Sequence, residues 1–288
     1  MYLAGGNSRR IRGALAPLLR GGPLSKDAVS RLVGRLAEDF QTWQRRDLAD
    51  DEIRYLLLDG WYPKVRLGKR RVRVPVLVTM GVRADGQRVP LDMRLVGDES
   101  TAAWRDVVQQ LQTRRVGTPV LAVIDGNAGL AAALREAWPS LAIQRCTAHK
   151  LRNLTAKAPA RLREEVAEDH RRVVYAETAA VVRQRRASFL KKRRLQCPAV
   201  AQSFDEAGDE LFTFLRSPRS QWKALRTTNA LERINEEFRR RTKTQASLPN
   251  QDAVLLLLFG LLRAGHIKVR KIDGWQEMPQ GAAASVAA

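Results

Sequence analysis

Between Ile53 and Gln144 the chain alternates strand and helix patterns in an order that few folds can accommodate. Ile53–Leu58 is an apolar run ending at Asp59–Gly60, and Trp61–Arg66 continues it through Tyr62 and Val65. Arg71–Val82 alternates and is rich in Val. A tight turn at Asp85–Gly86 follows, and Arg88–Val96 returns as a third strand. Asp98–Glu99–Ser100 opens a helix over Ala102–Arg114, with Trp104, Val107, Val108 and Leu111 on its buried side. Thr118–Ile124 is short and wholly apolar, the pattern of a central parallel strand covered on both faces. It ends at a second Asp-Gly pair, Asp125–Gly126. Gly129–Trp138 then reads as a helix and Ser140–Gln144 as the fifth strand. The expected class is α/β, with a mixed five-stranded sheet and helices.

Three antiparallel strands, helix, strand, helix, strand resembles the ribonuclease H-like order, which implies that the first and fourth strands lie side by side at the sheet's centre. Asp59, on or just after the first strand, and Asp125, at the end of the fourth, would then face each other. Either Asp-Gly alone reads as a turn. Two of them on neighbouring strands read as paired acids.

A third acid comes from Arg226–Lys243, RTTNALERINEEFRRRTK. Asn229 caps a predicted helix beginning at Ala230, and Leu231, Ile234 and Phe238 form its apolar stripe. Glu232, Asn235, Glu236 and Arg239 share the neighbouring polar face, and the helix ends in Arg239, Arg240, Arg241 and Lys243. Asn229-x-x-Glu232 also fits a capping box, in which the Glu only satisfies a backbone N–H. As a set, Asp59, Asp125 and Glu232 suit two divalent cations about 3.5–4 Å apart, and their hard oxygen ligands select Mg2+ or Mn2+ over Zn2+.

The charge balance fits an anionic partner. The formal net charge is +21, and nucleic acid is the usual counterpart of such an excess. No stretch approaches the roughly 18 apolar residues of a membrane span, and the start, MYLAGGNSRRIRG, lacks the apolar centre of a secretory signal. Cys146 and Cys197 give no disulfide framework and fit a reducing cytoplasm.

Residues 146–225 contain no convincing strand: Thr147–Leu154, Ala160–His170, Thr178–Leu195 and Val200–Leu215 read as helices. Lys150, Arg152 and the run Lys191, Lys192, Arg193, Arg194 are the basic residues expected to contact nucleic acid there, although such a run also suits a solvated face. Cys146-x-x-His149 lacks partners at zinc-ligand spacing and is expected to act structurally, with His149 near a phosphate or an activated water. Pro23–Leu36 reads as a helix similar to the second helix of a helix-turn-helix, or as a packing helix, and Arg45–Glu52 as a linker. Gln251–Ala264 is an apolar, buried helix, Gly265–Trp275 an extended exit and Pro279–Ala288 a disordered tail. The expected divisions are 1–52, 53–147, 148–225, 226–275 and 276–288.

These motifs together carry a resemblance. LLLDGWYPKVR, AVIDGNAGL, QRCTAHKLRN and TTNALERINEEFRRRTK, closing with VRKIDGW, resemble the Mutator-type DDE transposases of bacterial insertion sequences over roughly residues 24 to 275. The resemblance implies a ribonuclease H-like core with an all-helical insertion before the catalytic Glu helix. It implies Asp59, Asp125 and Glu232 as ligands of two Mg2+ or Mn2+ ions. Cys146 and His149 match the family's Cys-x-x-His signature, Trp104 its tryptophan, and Asn229 and Asn235 fall near the same site. The implied reaction is cleavage at element ends and transfer of 3′-hydroxyl ends into double-stranded target DNA. It would be carried out by a homodimer or higher oligomer on the bacterial nucleoid, in the cytoplasm. The family usually has a longer N-terminal region than the single helix found before Asp59, so an N-terminally truncated form is expected. Two alternatives stay open: a non-catalytic DNA-binding relic or regulator, and a ribonuclease H-like nuclease.

Overall fold

The computed structural model describes residues 26–67, 69–242 and 250–278. Its strands are β1 (Ile53–Trp61), β2 (Lys64–Leu67), β3 (Arg70–Arg73), β4 (Val76–Arg83), β5 (Arg88–Leu95), β6 (Leu121–Ile124) and β7 (Ala142–Arg145). Five of them form a mixed sheet in the order β5-β4-β1-β6-β7, while β2 and β3 make a separate antiparallel hairpin. β1 runs antiparallel to β4 and parallel to β6, so the first strand and the first strand after a helix are central neighbours, as the order of patterns implied. The α-helices longer than one turn are α1 (Lys26–Arg45), α2 (Thr101–Thr113), α3 (Ala128–Ala137), α4 (Thr147–Lys157), α5 (Arg163–Val174), α6 (Ala179–Gln196), α7 (Pro198–Glu206), α8 (Asn229–Thr242) and α9 (Asp252–Arg263).

Alternation along β1 sorts its side chains onto two cores. Leu56 and Leu58 join Trp104, Val107, Leu111, Leu130 and Leu134 beneath α2 and α3. Tyr55, Leu57 and Trp61 join the larger core on the opposite face, with Leu231, Ile234 and Phe238 of α8 and Phe259 of α9. Side-chain caps start the helices where the sequence offers them: Ser100 Oγ accepts from Ala103 N–H, Asn127 Oδ1 from Leu130 N–H and Thr178 Oγ1 from Val181 N–H.

Four expectations shift. The alternating run Arg71–Val82 is two strands, because Pro75, which has no N–H to give a ladder, separates β3 from β4. The helix expected over Val200–Leu215 ends at Glu206; Gly208, at φ +58°, turns the chain into a 3-10 helix, Gly208–Arg216. The N-terminal helix runs on to Arg45 because Phe40 and Trp43 extend its buried stripe and stack beside Phe259. Arg45–Glu52 is packed rather than a free linker: Leu48 is buried, and its N–H donates to the Arg114 carbonyl at 2.8 Å. The C-terminal segment stays on the body as far as Met278, which is buried. Pro279–Ala288 and Pro23–Ser25 lie outside the described residues. Among the described residues no helix is long and apolar enough to cross a membrane.

Candidate active site

Parallel pairing of β1 with β6 sets the first two acids. Tyr55 pairs with Leu121 and Leu57 with Val123. Carried on by two residues, that register puts Asp59 opposite Asp125, both on the side of the sheet that α8 covers. Asp59 lies within β1, opposite Val78 of β4, so its Asp-Gly pair is strand and not turn. Asp125 does make a local turn: its Oδ1 accepts the Asn127 N–H at 2.8 Å. The next residue must be Gly, since φ is +103° and a Cβ would come within 2.8 Å of the Arg145 guanidinium.

Glu232 reaches the same place because the start of α8 is tied to the end of the sheet. Thr147 N–H donates to the Arg226 carbonyl at 2.9 Å, and Cys146 Sγ accepts from Thr228 N–H at 3.3 Å and Thr228 Oγ1 at 3.5 Å. Farther along α8, Phe238 packs edge-on against Trp61 at 4.7 Å between centroids. The capping box does not form. The helix starts one residue early, at Asn229, the Thr228 carbonyl takes the Leu231 and Glu232 N–H groups, and the Glu232 carboxylate goes instead to Arg152. His149 Nε2 stands 4.0 Å from the same carboxylate. Cys146 is buried and bonded to Thr228, and Asn229 is exposed at the helix start.

Asp59 and Glu232, but not Asp125, line a cavity of about 680 Å3. Asp59, His149, Arg152, Glu232, Asn235, Glu236 and Arg239 form one part of its wall, and Gly60, Trp61, Tyr62, Lys64 and Arg73 the other. Asp59 is 5 % exposed. Burial lifts its carboxyl to about 7; Asp125, Glu232 and Glu99 push the same way, against the opposing pull of His149. Burial alone would lower His149, but the Cys146 sulfur and the Asp59 carboxylate outweigh it and raise the imidazole to about 9. Burial works to raise the Cys146 thiol, yet hydrogen bonds from His149 and Thr228 bring it below its ordinary value.

Sequence reasoning did not pick out Glu99, Tyr62, Lys64 or Arg73 for this site. Glu99 accepts from Tyr62 Oη at 2.7 Å, from Trp104 Nε1 at 3.2 Å and from Asn127 Nδ2 at 3.3 Å. That places Trp104, fully buried, in contact with the site through its ring nitrogen.

Two basic residues expected on the nucleic-acid surface are inside the fold. Lys150 is buried, with Nζ donating to the Ser203 carbonyl at 2.9 Å and to Glu206 at 3.0 Å. Arg193 is wholly buried against Asp169 and Glu165. Helical spacing turns one residue of a basic run inward, where acids of the neighbouring helix meet it. Lys192 pairs with the same two acids and Arg194 with Asp205, whereas Lys191 is exposed. Arg239 and Arg240 are exposed; the Arg241 side chain and Lys243 lie outside the described residues. Lys150→Met is therefore expected to leave DNA affinity unchanged in a salt titration while lowering the melting temperature, because it strands the Ser203 carbonyl.

A divalent metal fits this site by donor chemistry. The donors are carboxylate oxygens, and on the same wall Asn235 Oδ1 is buried without a hydrogen-bond partner, as is Trp61 Nε1. As the side chains stand, no three His, Cys, Asp or Glu groups among the described residues converge on one point that could hold an ion. The Glu232 carboxylate is paired with Arg152.

The sequence also matches known proteins. The profile described as "Transposase, Mutator family" matches residues 1–271. The chain is 32% identical over 277 residues to the transposase for insertion sequence element ISRM5 of Rhizobium meliloti, covering 96% of this chain and 68% of that protein. It is 36% identical over 268 residues to the transposase for IS406 of Burkholderia multivorans, covering 91% and 68%. It is 30% identical over 276 residues to the transposase for IS1081 of Mycobacterium tuberculosis, covering 96% and 65%.

Proposed function

The chain belongs to the Mutator family of transposases, and we propose that it is a DDE-type catalytic domain that cuts element ends and transfers their 3′-hydroxyls into target DNA. In this reading 53–147 and 226–275 are the two parts of a ribonuclease H-like core. Residues 148–225 are its helical insertion and 1–52 an N-terminal element. Its partner is double-stranded DNA of the bacterial nucleoid, bound by a homodimer or higher oligomer in the cytoplasm.

One observation supports this most. The β1–β6 register brings Asp59 and Asp125 to the sheet face where α8 carries Glu232 into the same cavity wall as Asp59. Those three carboxylates would hold two Mg2+ or Mn2+ ions. When bound, such ions supply acidification of a 3′-hydroxyl or water and charge stabilisation at the departing oxygen. The hydroxyl oxygen attacks a target phosphorus, and the new P–O bond forms as the bond to the target's own 3′ oxygen breaks. The count of phosphodiesters is unchanged and no energy source is consumed. The chain's own contribution is placement. Arg152, Lys64 and Arg73 on the cavity wall receive phosphate oxygens, and His149, protonated at neutral pH, offers Nε2–H beside Glu232.

The test offers the purified chain a pre-cleaved 3′-hydroxyl end of its own element, a supercoiled plasmid and Mn2+. Joined product is expected, and Asp125→Asn should remove it. Nicking without joining would indicate a simple nuclease, and binding with neither would leave a DNA-binding relic.

A further inference from the structure

We propose that Glu99 is a positioning residue that sets the spacing of Asp59 and Asp125, a role that rests on reading those two as metal-holding acids. Glu99 stands just before the Ser100 cap of α2, far in sequence from both aspartates, yet its carboxylate touches the segment carrying each. On one side it lies against the backbone that follows Asp59: a Cβ on Gly60 would meet Glu99 Oε2 at 2.3 Å. The same oxygen accepts from Tyr62 Oη at 2.7 Å, two residues further along the chain. On the other side Oε1 accepts from Asn127 Nδ2 at 3.3 Å, and the Asn127 N–H donates to Asp125 Oδ1 at 2.8 Å. Asn127 is itself fixed, because its Oδ1 accepts the Leu130 N–H at 3.0 Å to start α3. Trp104 Nε1, inside the core, holds Oε1 at 3.2 Å.

The Glu99 carboxylate therefore spans from β1 to the β6–α3 turn. Both of its oxygens are used as acceptors. A Gln has only one, so Glu99→Gln keeps the volume but turns an NH2 group toward either Tyr62 or the Trp104–Asn127 pair. Among the described residues its recorded partners are three neutral donors and no Lys or Arg. A third uncompensated carboxylate beside two aspartates repels them when no cation is bound, and that arrangement favours cation binding over bare stability.

The test uses the full chain, Mn2+ titrated by calorimetry without DNA, and strand transfer measured against Mn2+ concentration. Outer ligand-orienting groups govern metal affinity by roughly 10–100-fold, and Glu99→Gln is expected to weaken Mn2+ binding on that scale. Its transfer rate should recover at saturating Mn2+, and its melting temperature without metal should not fall. Gly60→Ala, which displaces the carboxylate and keeps its charge, should weaken Mn2+ binding in the same way. Unchanged Mn2+ affinity in Glu99→Gln, while Asp59→Asn abolishes binding, would overturn the role of Glu99 and leave the site reading intact. Weakening in Glu99→Gln but not in Gly60→Ala would make the effect one of charge and overturn positioning. Wild-type chain that binds no Mn2+ would remove the reading beneath both.

Discussion

Asp59→Asn is expected to abolish strand transfer and, at the same time, to raise the melting temperature of the metal-free protein at pH 8. Both effects come from one carboxyl group, 5 % exposed, on a strand at the centre of the sheet. On the reading proposed above, Asp59 would hold a cation that meets charge developing in the transition state, and losing such stabilisation costs about 10²–10³-fold or more in rate. The stability effect follows from linkage. The carboxyl titrates at about 7 in the fold against a reference of 3.8. The folded state thus holds the proton more tightly than the unfolded one, and stability falls as pH rises between those two values. Above pH 7 the penalty is complete, on the order of a few kcal/mol at about 1.36 kcal/mol per pH unit. Asn carries no charge at any pH and escapes it. The difference in melting temperature between mutant and wild type should be several degrees at pH 8 and close to zero at pH 4. Added Mn2+ should stabilise the wild type at pH 8 and leave the mutant unmoved. A mutant less stable than wild type at pH 8 would show that Asp59 is held by contacts the metal does not replace.

Much of this arrangement was legible in the chain itself, and the reason is periodicity. The apolar pattern over 118–124 marked a strand, of which Leu121–Ile124 forms β6, and the ribonuclease H-like order put it beside the first strand, so that both aspartates fall toward one end of the sheet. Glu232 was legible through the apolar stripe of Leu231, Ile234 and Phe238, which fixes the face α8 buries. What stayed hidden depends on side chains meeting across long separations. Glu99 reads as a residue at a helix start, and nothing local says that its carboxylate reaches Gly60 or Asn127. Lys150 and Arg193 read as two more bases in a basic chain. Their burial is decided by Glu206 and Asp169 on other helices. The break at Pro75 was visible but was overridden by the alternation on both sides of it.

Glu232→Gln should also abolish transfer by at least about 10²-fold, and it should do so without weakening DNA binding. The Glu232 carboxylate is now held by Arg152, whose side chain is 55 % exposed on the wall of the cavity. On the reading proposed above, Arg152 cannot serve that carboxylate and a DNA phosphate equally well, so the arrival of DNA and the release of Glu232 toward metal would be linked. An ion pair this exposed contributes about 0–1 kcal/mol. The linkage is therefore a modest bias of up to about fivefold, not a lock. Glu232→Gln removes the competitor and should tighten DNA binding by up to that factor in a salt-controlled binding assay. Arg152→Gln makes the opposite change. Its Mn2+ affinity without DNA should rise by a similar factor, because Glu232 no longer has a cation holding it. The dependence of log K for DNA on log salt should flatten by about 0.9, the loss of one phosphate contact. If Arg152→Gln gained no Mn2+ affinity, Glu232 would be confined by its helix and not by the arginine. The acids at 59 and 125 would then have to find their third partner in another group on the cavity wall, where the Glu236 carboxylate and the unpaired Asn235 oxygen stand.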